Sequence, residues 1–230
     1  MKTLTLFASV ETANPSLAGN QLQLMALMAV LSLVPFAVVM LTSFSKFSVV
    51  LSMVRSAIGT QQAPPTMVLT GLAAVLTAHV MAPTFEQMWL VSKPHLHKGT
   101  STSEVVAVAG ECLAPLTQFL QKHGSAEERA RFVDMARELR PIDQAASVSE
   151  SDVMVVVPAF VITELREAFI IGFLIFLPFL MLDMLIANIL LALGMQSLSP
   201  AQVSLPFKIL LFVVVDGWSL LAHGLIQGYR

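Results

Sequence analysis

Charge is scarce in this chain. Of its 230 residues only 12% are charged, against about 25% in an ordinary soluble domain. The hydrophobic fraction is 56% and the mean hydropathy +0.77. That excludes an intrinsically disordered chain, which needs low hydrophobicity and high charge, and argues against a conventional soluble enzyme. No excess of basic residues exists either. Thirteen Lys and Arg against fifteen Asp and Glu leave a net charge of -2, the wrong sign for a nucleic-acid binder. The one cysteine, Cys112, excludes an internal disulfide and a cysteine-based metal site. No His-Glu-x-x-His pattern and no Ser/His/Asp constellation is apparent, so an intramembrane hydrolase is not indicated. Nothing calls for a metal or a cofactor, and no catalytic residue is nominated.

What is present is unevenly spread. Residues 84–152 hold 17 of the 28 charges, and the other 161 residues hold eleven. The chain thus reads as an N-terminal segment (1–20), a first apolar helical hairpin (21–83), a polar helical insert (84–152) and a second apolar hairpin (153–230). No charge falls between Glu11 and Lys46, and Leu22–Leu41 is long enough to cross a bilayer core of about 20 residues as a helix. Pro35 should kink that helix, since membrane helices tolerate proline. The apolar pattern resumes at Phe47. Gly59 and the Pro64-Pro65 pair mark a break, and Pro83 should end the helix that begins at Thr66. In the insert, Ser125 followed by Glu128 predicts a capping box, and 104–122 is a second helix candidate. After Val153 apolar sequence returns through Leu193, followed by a tight connection at 194–200 and a last helix over roughly 201–226. The fold class is therefore all-α and membrane-type. Lys2 and the short run Leu4–Val10 make a poor signal peptide, so the N-terminus is taken as uncleaved. The insert is too long for its charges to set orientation; Lys46 and Arg55 favour the cytoplasmic side for the piece between them.

Glu164, Arg166, Glu167, Asp183, Lys208 and Asp216 lie in or beside the apolar helices of the second hairpin. Ionised groups there cost a few kcal/mol each and are normally paired or turned toward protein or water. At about 1.5 Å per residue, Lys208 lies about 10–12 Å from the 194–200 turn and Asp183 about 18 Å, so the two can meet within one hairpin. Glu164, about 45 Å away, cannot reach Lys208 in a straight hairpin and would need a neighbouring subunit. Lys208 and Asp216, two turns apart, should share a helix face. The methionines at 25, 28, 40, 53, 67, 81 and 184 read as packing residues, His79 and His223 as interface histidines, and His95 with His97 as a weak metal pair. Pro178 and Pro206 should shape their helices, and Gly172 should permit a close helix approach.

Two stretches are distinctive. One is Val157-Pro-Ala-Phe-Val-Ile-Thr-Glu-Leu-Arg-Glu-Ala-Phe169, continued by Ile-Ile-Gly-Phe-Leu-Ile-Phe-Leu-Pro-Phe179. The other is Ser204-Leu-Pro-Phe-Lys208, followed by Ile-Leu-Leu-Phe-Val-Val-Val-Asp-Gly-Trp218. A third, Thr42-Ser-Phe-Ser-Lys-Phe-Ser-Val-Val-Leu51 with Arg55 and Ala57-Ile-Gly-Thr-Gln-Gln-Ala-Pro-Pro65, precedes them. In this order they resemble the signature stretches of the FliP/SctR family, core subunits of the type III secretion export gate in flagella and injectisomes.

The resemblance implies a non-enzymatic subunit of a helical cone through which unfolded secreted proteins pass. It implies a homo-pentamer joined by FliQ/SctS-like and FliR/SctT-like subunits, with FlhB/SctU-like and FlhA/SctV-like components nearby. The location implied is the bacterial inner membrane, with the assembled complex projecting into the periplasm. It also implies that the 194–200 turn carries the pore gate. Met195 matches the family's methionine-rich loop, whereas Gln196, Ser197 and Leu198 depart from it. A ring of Met195 and Leu198 would be an adaptable seal, because methionine is unbranched and flexible. The candidate charge pairs, between subunits or within the hairpin, are Glu164, Lys208, Asp183, Glu167 and Asp216. The weak signal peptide favours an injectisome over a flagellum. The alternative is a small ion or solute transporter with Glu164, Asp183 and Lys208 as a relay, which the lack of an inverted repeat weakens.

Overall fold

The computed structural model describes residues 15–60, 63–94 and 102–230. The N-terminal stretch 1–14 and the pair His95 and His97 lie outside the described residues, as do the expectations placed on them. Among the described residues there are nine helices and no strand: α1 (Pro15–Met40), α2 (Phe44–Ile58), α3 (Thr66–Ser92), α4 (Thr102–His123), α5 (Ala126–Glu138), α6 (Ile142–Ala145), α7 (Val153–Ala192), α8 (Pro200–Val214) and α9 (Gly217–Gln227). The chain forms two compact units, Met1–Val38 and Val39–Arg230.

The described part of the first unit is helix α1 up to Val38. Pro35 sits inside α1 without ending it, and the helix stops at Met40. The break between α1 and α2 thus falls at 41–43 rather than at the proline.

The second unit is organised around the contact of α2 with α7. Phe47, Val50, Leu51, Val54, Ala57 and Ile58 recur at helical spacing along α2 and are all buried. They meet a stripe on α7 that includes Val156, Phe160 and Ala168. The two helices come so close at Gly172 that a Cβ there would lie 2.4 Å from Met53 Sδ and 3.1 Å from Met53 Cβ. Gly59, at φ +86, closes α2 by sending its N–H to the carbonyls of Arg55 and Ser56, the left-handed glycine cap.

Helix α3 runs through Pro83 to Ser92. The proline removes one N–H from the ladder but does not terminate the helix, which extends past the expected end of the first hairpin. α4 packs on α3 and α7, and α5 packs on α7. Ser125 makes no side-chain cap bond to α5. Its backbone N–H goes instead to Thr163 Oγ1 of α7 at 3.0 Å, and Glu128 bonds Arg131 at 3.2 Å. The capping box is thus displaced by a tertiary contact. Arg129 closes the preceding helix by donating to the carbonyls of Gln121 and Gly124.

α7 is continuous over 40 residues despite Pro158 and Pro178. At about 1.5 Å per residue it is about 60 Å long, roughly twice a bilayer hydrocarbon core. The last apolar stretch is broken: α8 and α9 meet at an angle of 60°. The run Val213–Val215 is a poor helix former, and the Asp216-Gly217 pair that follows is a turn signal. Asp216 adopts φ 51 and is exposed, so Lys208 and Asp216 do not share one straight helix face. Two helices, α3 and α7, are long and apolar enough to cross a membrane, and counting each of two bent pairs as one span gives up to four among the described residues.

Candidate functional site

Three places carry the polar chemistry of the second unit. The first lies inside the α2–α7 contact. Lys46 and Glu164 are buried, and the Lys46 Nζ lies 3.0 Å from Glu164 Oε1 and 2.6 Å from Glu167 Oε2. Lys46 projects from the first turns of α2, and Glu164 and Glu167 lie three residues apart on one face of α7. The Tyr229 hydroxyl donates to Glu164 Oε2, and Lys46 Nζ stands 4.3 Å from the centre of the Tyr229 ring. A buried ion pair is tolerated only when its remaining lone pairs and protons find partners. Here a second carboxylate, a phenol and an aromatic face supply them. Lys46, read from the sequence for its bearing on orientation, is an interior residue held by two carboxylates.

The second place joins α8 to α7 and α2. Lys208 Nζ donates to Asp183 Oδ2 at 2.6 Å and to the Ala57 carbonyl at 3.3 Å. Ser204 Oγ, one turn earlier on α8, donates to Asp183 Oδ1 at 2.5 Å. Ala57 lies in the last turn of α2, where free carbonyls and the negative end of the helix dipole favour a cation. Lys208 therefore staples the C-terminal end of α2 to the second hairpin. Glu164 and Lys208, considered above as a contact between subunits, each have a partner of opposite charge within the chain. Asp216 and Arg166 are exposed and take part in neither cluster.

The third place is the connection between α7 and α8. Gly194 adopts φ +71, and Met195 N–H returns to the Leu190 carbonyl at 2.9 Å. Pro200 starts α8, where a missing N–H costs nothing. Residues 191–200 are all exposed, Met195 and Leu198 to 47% each. Two apolar side chains and Gln196 are thus presented at a helix-hairpin tip.

His123 borders the first cluster. Its ring lies 5.0 Å from Tyr229 and 4.6 Å from Phe119. Burial, then the positive charges of Lys122 and Lys46, lower its pKa to about 4, so it is neutral near pH 7.

Lys46, Ser204 and Tyr229 are the residues that sequence reasoning missed. For Lys46 the signal was available, since a lone cation among Phe44, Phe47 and Val49 requires a carboxylate partner. For Tyr229, the single tyrosine of the chain, there was none.

Much apolar surface is left uncovered. Only 11% of the most apolar window of α7 is buried, and Phe169, Phe173, Leu174 and Met181 of α7 are exposed. Met81 is buried, but Met25, Met28, Met67 and Met184, expected to pack, are exposed in the single chain. Apolar helices with uncovered faces, and charges neutralised between those helices, define a helical membrane protein. Its relatives narrow the class. The FliP family model matches residues 27–225. The chain is 43% identical over 211 residues to the hypersensitivity response secretion protein HrcR of Ralstonia nicotianae, covering 90% of this chain and 96% of that one. It is 42% identical over 214 residues to the Yop proteins translocation protein R of Yersinia pestis, covering 91% and 97%. It is 39% identical over 227 residues to the flagellar biosynthetic protein FliP of Bacillus subtilis, covering 98% of each. The chain belongs to the FliP family, the FliP/SctR family of type III secretion systems, and is a core subunit of that export apparatus.

Proposed function

We propose that this subunit forms, with copies of itself and related subunits, the entry channel and gate through which unfolded proteins are exported. The observation that carries this reading is the exposed tip between α7 and α8, where Met195 and Leu198 are set out at the end of a helical hairpin. Several copies around an axis would place a ring of deformable apolar side chains across a pore. Such a ring excludes hydrated ions yet yields to many substrate side chains. The role is structural, and the exposed charges and buried pairs are read as assembly elements, not catalytic groups.

The proposed assembly is a homo-pentamer with FliQ/SctS-like and FliR/SctT-like subunits, adjoining FlhB/SctU-like and FlhA/SctV-like components in the bacterial inner membrane. The uncovered face of α7 supports a subunit that is completed by neighbours. The length of α7, about twice the hydrocarbon thickness, supports a complex that projects beyond the membrane plane; the side proposed, from the family resemblance, is the periplasmic one. In the assembly, Glu164 and Lys208 of neighbouring copies are a proposed contact, in which each would share or leave its in-chain partner.

Native mass spectrometry of the detergent-extracted chain, co-expressed with its neighbouring reading frames, tests the assembly. A pentamer carrying smaller apolar subunits is expected; a monomer or dimer that recruits nothing overturns it. Met195→Gln and Met195→Trp test the gate, with ion leakage across the membrane expected from either. A relay transporter would be indifferent to both. Loss of motility or loss of injected-protein secretion on deletion assigns the system, for which an injectisome is proposed.

A further inference from the structure

We propose that α9 is a hinged arm and that Tyr229 is the latch holding it closed. The hinge is the joint between α8 and α9. Asp216 is the one non-glycine residue with positive φ among the described residues, and its side chain makes no capping bond to α9. The joint is held by two backbone bonds, Asp216 N–H to the Val213 carbonyl at 3.0 Å and Leu220 N–H to the Asp216 carbonyl at 3.1 Å, and by one ring contact, Phe212 of α8 meeting Trp218 of α9 edge-on at 5.0 Å. A single residue leaving the left-handed region would re-aim the whole of α9.

α9 does not close onto α7 along its length. One apolar groove of about 230 Å³ lies between them near Phe179, Phe212 and Leu221. A second, of about 320 Å³, lies near Ile171, Ile175 and Leu225. Gly224 has nothing within 4 Å of where its Cβ would be. Leu221 and Leu225 are the buried apolar side chains of α9.

The far end is held differently. The Tyr229 ring stacks on Phe119 of α4 at 6.0 Å and 11°, and meets Phe47 of α2 edge-on at 5.7 Å and 81°. It lies under Lys46 of α2, and its hydroxyl is bonded to Glu164 of α7. One side chain thus ties the end of α9 to three other helices. The bond to a buried carboxylate is charge-assisted, and stronger than a neutral hydrogen bond. Opening the arm strips Glu164 Oε2 of that donor, which favours the closed arm while nothing else supplies one. Tyr229 is therefore a positioning residue for both α9 and Glu164, independently of the export-gate reading.

Hydrogen exchange on the full chain in detergent tests this without any partner subunit. Tyr229→Ala removes the whole latch, whereas Tyr229→Phe keeps the ring contacts and removes only the hydroxyl. Tyr229→Ala should accelerate exchange across 217–227 about tenfold, with a smaller gain for Tyr229→Phe and wild-type rates in α5. Acceleration in Tyr229→Ala alone places the latch in the ring contacts. Unchanged rates in α9, or an equal gain in α5, overturn the proposal. If Tyr229→Ala does not accumulate, Tyr229→Leu, which removes the ring and the hydroxyl but keeps apolar bulk, decides: acceleration confined to α9 supports the latch, and none overturns it.

Discussion

Lys46 and Glu164, 118 positions apart in the sequence, meet at 3.0 Å inside the contact between α2 and α7. Their meeting fixes the register of the two apolar hairpins more sharply than apolar packing can, because aliphatic surfaces slide at modest cost while an unpaired buried ion does not. Breaking a buried pair from one side costs about 3–5 kcal/mol. Lys46→Met should therefore destabilise the chain strongly, and so should Glu164→Gln to a lesser degree, since the amide retains a hydrogen bond to Tyr229. The double variant should be more stable than Lys46→Met alone. Thermal unfolding in one detergent measures all three, and strict additivity would argue against coupling.

Lys208 offers a test between two partners. In the chain it lies 2.6 Å from Asp183, whereas Glu164 is its proposed partner across subunits. Lys208→Glu places two carboxylates together and should impair both folding and assembly. Recovery with Asp183→Lys identifies the in-chain pair as the dominant one. Recovery with Glu164→Lys, read on native gels, identifies the contact between copies. Recovery by neither shows that the Ala57 carbonyl and Ser204 make the site specific for a lysine at 208.

Gly172 is required by distance. An added methyl would fall 2.4 Å from Met53 Sδ and 3.1 Å from Met53 Cβ. The thioether can swing away, but the Cβ moves only with α2. Gly172→Ala should cost about 1–3 kcal/mol, the range for overpacking. Met53→Ala in the same chain should recover part of that loss. An unchanged unfolding midpoint for Gly172→Ala would show that α2 and α7 are not pressed together there.

His123 gives a pH dependence with a definite sign. Its pKa falls from 6.5 in the unfolded chain to about 4 in the fold. Between these values the unfolded state binds the extra proton, so stability rises with pH. The contribution is fully present above about pH 6.5 and is lost as pH falls toward 4. Unfolding midpoints of the wild type should decline across that window, and His123→Asn should flatten the decline. Parallel slopes for both proteins would remove His123 from the account.

The apolar hairpins and the helical nature of the insert were legible in the sequence because hydropathy needs no partner to be read. The Asp183–Lys208 contact could be placed by helix rise, since both residues flank one short turn. The partners of Glu164 could not, because Lys46 and Tyr229 lie in distant segments and local spacing is silent about them. Pro83 was read as a helix end from its chemistry, yet α3 runs through it to Ser92, and Pro35, read as a kink, lies inside α1, which ends only at Met40. Asp216 misled in the other direction: apolar periodicity runs through it, and the helix breaks there. The 194–200 turn was nominated through resemblance, not periodicity, and residues 191–200 are exposed.

The bare flank of α7 also bears on solvent. With 11% of its most apolar window covered by its own chain, this helix leaves in contact with its surroundings a surface that water solvates poorly. Acyl chains or another apolar protein surface would each relieve that cost, and where lipid covers the flank, a protein joining it there has to displace acyl chains, not water.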